Sequence, residues 1–257
     1  MKSCKVALLT TPSTMSADAV LRLITDNFER IAVVGISDPL REPFGPCGRR
    51  SQQILLRSHL RLGPYLFVSF VLPRLISALR FDRNPENSLA ALCRGRGVPV
   101  IEIDHINDPV QIARLRGFGA QAALMFHFDQ IVDANFIATF PDGVANVHPG
   151  LLPRQRGASP TIHALMDEIP DFGVTLHRVT PVIDQGAILA QTRLDLPVGI
   201  SAVESARRLH LAALPLVRRW LDGGLGDSVT PPQLAYCYWP DAKALRALAR
   251  RGRRLER

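Results

Sequence analysis

Short β-branched and aliphatic runs recur along the chain, and amphipathic stretches with helical spacing fill the intervals between them. The runs Lys5–Thr10, Ile31–Ile36, Val98–Ile103, Ala122–Phe126 and Val144–Val147 read as strands, as do Val174–Val179 and Ala187–Leu194. Ala17–Phe28, Asn87–Arg96, Pro109–Phe118 and Ile131–Thr139 read as helices. Asn87, Asp108 ahead of Pro109, and Ser201 are residues of the type that starts a helix. From Ser201 to Leu221 the residues Val203, Ala206, Leu209, Leu214 and Val217 keep helical spacing, and Pro215 is expected to kink or break that helix. Strands alternating with helices predict an α/β fold: a Rossmann-like, open, mainly parallel sheet with helices on both faces.

Residues 42–86 break this rhythm and read as an insertion on the sheet, a helical flap or an oligomer contact. Inside it lies the most apolar stretch, Pro64–Phe81. Pro73 and Arg74 interrupt it and its length is marginal for a bilayer, so a buried or partner-facing helix is the preferred reading. The tail from Gly223 reads as a loop leading to a short terminal element. The expected organisation is therefore a catalytic domain over 1–222 with that insertion, and an Arg-rich extension over 223–257.

Composition changes this picture little. With 257 residues, 47% hydrophobic and 21% charged, the chain is long enough to bury a core without disulfides. Its four cysteines, Cys4, Cys47, Cys93 and Cys237, show no ligand or redox spacing, which fits reduced thiols in a cytoplasmic protein. The start MKSCKVALLTT has no signal-peptide pattern. Net charge is +8, and Arg246, Arg250, Arg251, Arg253, Arg254 and Arg257 crowd the end. Such a run serves as a solvated helix face, or steers an anionic substrate or nucleic acid. Neither GxGxxG nor GxxxxGK[ST] occurs, which disfavours dinucleotide and P-loop enzymes.

Chemistry concentrates between Asn146 and Gly186. Asn146 and His148 stand two apart at the end of a predicted strand and so face one side. The carboxyl ends of parallel strands are where ligands gather. Asp184 lies between Ile183 and a glycine turn, where a carboxylate can also do no more than cap backbone N–H groups. His148, His177 and Asp184 form a possible two-His, one-carboxylate metal set, but no HxxxH or HxxE pairing supports it, and no metal is expected. Ser159 and His163 share helical spacing, yet N-capping explains Ser159 better than a nucleophile role.

Two long blocks carry a resemblance. Asn146-Val147-His148-Pro149-Gly150-Leu151-Leu152-Pro153-Arg154-Gln155-Arg156-Gly157 is followed by Gly173, Val174, Thr175 and His177, then by Asp184-Gln185-Gly186. In that order they resemble the folate-dependent formyltransferase family, which includes glycinamide ribonucleotide transformylase, methionyl-tRNA formyltransferase and the sugar N-formyltransferases. The likeness covers about residues 98–195 and implies the formyltransferase fold. Gly150 stands where the family has serine, and TTPSTMSADAV lacks the glycine-rich phosphate loop of the purine enzyme.

The resemblance implies N-formyl transfer from N10-formyltetrahydrofolate to a primary amine, with Asn146, His148 and Asp184 as the catalytic residues. Imidazole suits His148 to accept the amine proton. Asn146 can stabilise the oxyanion, and Asp184 can orient His148 or relay a proton. It also implies a pterin slot walled by Met125, Phe126 and Ile183 beside Asp184, with Phe126 and Phe128 equally readable as core residues. Arg156 is expected to meet an anionic part of the acceptor, or else to be a surface arginine in a turn. The acceptor expected is a small molecule, a phosphate-bearing, nucleotide-linked amino sugar or another biosynthetic amine. A homodimer fits the insertion, and nucleic acid is not expected as a partner. The alternatives are a formyltetrahydrofolate hydrolase, a methionyl-tRNA formyltransferase-like enzyme, and a nucleic-acid-binding protein.

Overall fold

The computed structural model describes residues 5–38, 49–80, 89–225 and 228–256. Seven strands form one sheet in the order β3-β2-β1-β4-β5-β6-β7. They are β1 (Val6–Thr10), β2 (Ile31–Ser37), β3 (Val100–Ile103), β4 (Ala122–Phe126), β5 (Val144–His148), β6 (Gly173–Arg178) and β7 (Ile188–Arg193). The first five pair in parallel, and β6 and β7 then run antiparallel to their neighbours. Helices α1 (Ala17–Asn27), α2 (Arg49–Arg57), α3 (Gly63–Leu66), α4 (Leu72–Arg80) and α5 (Leu89–Gly95) come before β3. After it come α6 (Pro109–Gly117), α7 (Ala134–Ala138), α8 (Pro160–Met166), α9 (Ala202–Leu221) and α10 (Ala242–Arg250).

Every residue of β1 and β4 is buried, so VALLT and AALMF read as unbroken apolar runs rather than as alternations. The pleat sends neighbours to opposite faces. Leu8, Leu124 and Phe126 join one core with Val20, Ile24, Leu209 and Val217 of α1 and α9. Leu9, Ala123 and Met125 join another with Leu115 of α6 and Phe136 of α7. Each large side chain so buried contributes about 1.5–3 kcal/mol.

Caps set the helix starts. Asp108 accepts from the Val110 N–H at 2.8 Å, Asp133 from Phe136 at 2.8 Å and Ser201 from Glu204 at 3.2 Å. Because Asp133 is the cap, α7 begins at Ala134 rather than at the expected Ile131. Asn87 lies outside the described residues. Ser159 sits ahead of α8 with φ +53° and makes no side-chain cap bond, contrary to expectation. Pro215 does not end α9, which runs unbroken over 20 residues. Pro215 is on the exposed face, while Ala213, Leu216 and Val217 hold the helix to the core.

The expected insertion at 42–86 falls partly outside the described residues, and its described part is helical. Between α3 and α4 the residues Phe67–Val71 form a π-helical turn, in which the Leu72 N–H bonds Phe67 O. Pro73 has no N–H to give. The carbonyls of Val68 and Ser69 are thereby released from the usual ladder. Thr14, in the loop after β1, takes both: its hydroxyl donates to Val68 O and its N–H to Ser69 O, each at 3.1 Å. The insertion is pinned to the sheet at that point.

Candidate functional site

β1 is paired with β2 on one side and β4 on the other, so successive connections diverge there. Such a divergence opens a crevice at the carboxyl ends of the strands. Thr11 bridges it, donating its N–H to His127 O at 2.9 Å. A cavity of about 640 Å³ occupies the crevice and extends past the end of β5.

Asn146, His148 and Asp184 all line this cavity. The first two share one side of β5, as their spacing predicts. Asp184 arrives on the turn after β6, in a left-handed conformation with φ +51°. That turn folds so tightly that a Cβ on Gly186 would run into the Arg178 backbone, which is the physical reason for glycine in the Asp-x-Gly block. Asp184 Oδ2 accepts the Gly157 N–H at 3.0 Å and lies 3.8 Å from His148 Nδ1. The two motif blocks, far apart in sequence, thus meet at one carboxylate.

The protonation pattern follows from the fixed partners. His148 Nε2 is 2.8 Å from Gln155 O, and a carbonyl only accepts, so the Nε2–H donates and the Nδ1 lone pair faces Asp184. His177, cross-strand from Asn146, donates its Nδ1–H to Arg178 O at 2.8 Å. Its Nε2 accepts from Asn146 Nδ2 at 3.0 Å, which leaves the second amide N–H of Asn146 for a ligand. Burial pushes the His177 pKa down to about 4, against the opposing pull of Asp184, so this ring stays a neutral acceptor at physiological pH.

Met125 and Ile183 also line the cavity. Phe126 does not: it is fully buried, and the pleat turns it away from Met125 towards α9, where its ring meets His210. It is a core residue and no wall of the slot. Phe128 lies along the cavity. Arg156 is likewise outside the lining, being only 8% exposed. Its Nε donates to Ile183 O at 2.7 Å and its Nη1 to Leu234 O at 2.9 Å, so the guanidinium ties the Asp184 turn to the tail and is directed at carbonyls rather than at an anion.

Gly150, the departure from the family pattern, lies beneath His148. A Cβ there would stand 2.6 Å from Pro160 Cβ and 3.0 Å from His148 Nε2, so no serine fits unless α8 or the imidazole moves.

Several contributors carry no sequence signal of their own. Gln155 occupies a variable position of the first block, yet it accepts from the Leu151 N–H at 2.8 Å and donates to Asp171 O at 2.9 Å. Tyr236 and Trp239 reach the cavity from the tail, where Cys237 donates its N–H to Arg156 O and accepts the Ala158 N–H. The aromatic cluster YCYW in an otherwise polar tail was their only hint. Tyr65, Leu66 and Phe70 come from the insertion, and burial raises the Tyr65 hydroxyl to about 12. His127 and His210 complete that side, with ring centroids 5.0 Å apart. Burial lowers both, His210 to about 4. Among the described residues no group of three or more His, Cys, Asp or Glu is placed to hold a metal ion, and no helix is long and apolar enough to cross a membrane.

Residues 104–216 match the formyl transferase family. Solved structures share the fold at low identity. Glycinamide ribonucleotide transformylase 1 from Symbiobacterium toebii superposes with a TM-score of 0.58 at 18% identity, over 89% of this chain and 94% of that one. A sugar N-formyltransferase from a Shewanella species gives 0.56 at 14% identity, over 91% and 76%. WlaRD, a sugar 3N-formyl transferase solved in the presence of dTDP and 5-N-formyl-THF, gives 0.54 at 15% identity, over 92% and 70%.

Proposed function

We propose that this enzyme, whose residues 104–216 belong to the formyl transferase family, moves a formyl group from N10-formyltetrahydrofolate to the primary amine of a small acceptor. The observation that carries the reading is the meeting of Asn146, His148 and Asp184 in one cavity, with Met125 and Ile183 on its wall. The neighbour solved with a formyl-folate supports the choice of donor.

The reaction needs no covalent intermediate on the protein. The amine nitrogen attacks the formyl carbon, and the carbonyl oxygen becomes an oxyanion, which the free N–H of Asn146 stabilises. His148 takes the amine proton at Nδ1, because Nε2 is committed to Gln155 O. The imidazolium so formed faces Asp184, 3.8 Å away. Collapse of the intermediate breaks the bond from the formyl carbon to folate N10. N10 then receives a proton from His148, directly or through water held by Asp184, and the formamide leaves. Holding donor and amine in one cavity supplies much of the rate.

An amino sugar is the acceptor that the sugar-formylating neighbours suggest. A nucleotide link would call for cations around its phosphates, and the described lining of the cavity contains no Lys or Arg. Mass spectrometry of the protein incubated with formyl-folate and an amine panel tests the reaction. A gain of one formyl group on an amine supports it. Release of formate with no formylated amine indicates a hydrolase instead.

A further inference from the structure

The cavity has two unlike ends. Near Asn146 and Asp184 it is polar. Beyond His148 it opens into a chamber bounded by Met15 after β1, by Tyr65, Leu66 and Phe70 of the insertion, and by Trp239 of the tail. The insertion is fixed in this position by the two Thr14 bonds to the carbonyls released around Pro73. The tail is fixed by the backbone bonds between Cys237 and residues 156 and 158, and by His163 against Tyr238 O at 2.8 Å. Tyr65 and Trp239 meet edge to face, 6.4 Å between centroids, so insertion and tail close on each other across the chamber.

Its charges are one-sided. The charged side chains on the described lining of the whole cavity are the carboxylates Asp129 and Asp184. The imidazoles at the chamber do not supply a cation, since burial holds His127 and His210 neutral. An anion brought here would lose its hydration without gaining a counter-charge, which is costly. An apolar group would gain by burial. His210 is 1% exposed and donates its Nδ1–H to Ala206 O at 2.8 Å, and the Met15 backbone is a second partner of the ring.

We infer that the acceptor is an aliphatic or aromatic primary amine without phosphate, seated between the insertion helices and Trp239. This rests on the formyl-transfer reading, since it assigns the second substrate of that same site. The described lining offers aromatic walls for a hydrocarbon body and, among the described residues, no cation for a phosphate.

The test compares phenylethylamine and tyramine with glucosamine 6-phosphate and a uridine-diphosphate-linked amino sugar, each with formyl-folate, read as formylated product. The expected result is a kcat/KM at least tenfold higher for the two aromatic amines. Phe70→Arg places a cation in the chamber and is expected to raise KM for those amines at least tenfold, with formyl-folate binding unchanged. Phe67→Arg, at a half-exposed position on the same wall, repeats the test should the first variant fail to fold. Preference for a phosphate-bearing acceptor, or indifference to both arginines, overturns the inference. Binding of formyl-folate with no aromatic amine accepted overturns it while leaving the donor assignment standing. Should formyl-folate not bind, the function itself fails. The chamber is then judged by Trp239 fluorescence, where quenching by tyramine and none by the nucleotide sugar supports it, and the reverse sinks it.

Discussion

His148 Nε2 stands 2.8 Å from the carbonyl oxygen of Gln155, and that contact decides which nitrogen of the imidazole is available for chemistry. With Nε2–H committed, the proposed mechanism takes Nδ1, which faces Asp184, as the base. His148→Ala is therefore expected to lower kcat by about 10²–10⁴-fold while the fold survives, the range usual for a general base. Rates with formyl-folate and an accepted amine, alongside circular dichroism, check this. Full activity in a folded variant would sink the mechanism.

Gln155 is predicted to matter for stability through its side chain. It satisfies the buried Leu151 N–H and holds Asp171 O, and both bonds disappear in Gln155→Ala. Leaving such a buried donor unpaired costs about 1–3 kcal/mol. A urea titration should show a lower midpoint and an unfolding free energy smaller by that amount, with a smaller loss in Gln155→Glu, which can still accept from Leu151. An unchanged midpoint in the alanine variant would mean that water replaces the side chain freely.

Restoring the family's serine is expected to harm this protein. In Gly150→Ser the new Cβ would press on Pro160 and on the His148 ring. Overpacking of this kind costs about 1–3 kcal/mol. A base displaced by about 1 Å can lose on the order of 10²-fold in rate. The decisive comparison is kcat against KM: a fall in kcat with donor KM unchanged marks displacement of His148. A fully active serine variant would show that α8 yields instead.

These cases explain what could be read in advance. The strands were legible because β1 and β4 are buried on both faces and so are spelled in unbroken apolar residues. The meeting of Asn146, His148 and Asp184 in one cavity was legible because two motif blocks carry them. Pro215 misled, because a local rule was outweighed by the packing of its neighbours on α9. Phe126 and Arg156 misled because composition says nothing about which face of a strand, or which carbonyl, a side chain meets. The chamber was out of reach altogether. Its walls come from residues 15, 65, 70, 210 and 239, which only the folded chain brings together.

Buried imidazoles predict the shape of the acid limb of stability, and His127, which burial also lowers, adds to the same slope. Burial depresses both His177 and His210 from the ordinary 6.5 to about 4. The unfolded chain therefore binds protons first as pH falls, so stability rises with pH across this window and is lost between about pH 6.5 and pH 4. Below about 4 both states are protonated and these groups add no further slope. Denaturation midpoints taken from pH 7 to pH 4.5 should decline, and more gently in His210→Gln. Glu204, whose carboxyl the Arg207 guanidinium holds down from 4.5 to about 2, loses its own contribution mainly below about pH 4.5, so the readings from pH 7 to 5.5 report the imidazoles. A flat profile from pH 7 to 4.5 would remove the basis for treating either ring as a neutral acceptor.

Arg156 offers the sharpest contrast between reading a motif and reading its geometry. An arginine that met an anionic acceptor would be replaced tolerably by lysine, because charge is what such contact needs. Here Nε and Nη1 each hold a different carbonyl, Ile183 O and Leu234 O, and the guanidinium lies 5.6 Å from the Tyr236 ring centre. Lysine cannot span two acceptors in that fork. Arg156→Lys is thus expected to loosen the Ile183–Asp184 turn and raise KM for formyl-folate by about tenfold, the effect of losing roughly 1.4 kcal/mol of binding. The acceptor KM should change much less. Steady-state kinetics with each substrate varied in turn separates the two outcomes. A variant that keeps its donor KM but loses the acceptor would return Arg156 to the role of an anion contact, and with it a phosphate-bearing substrate.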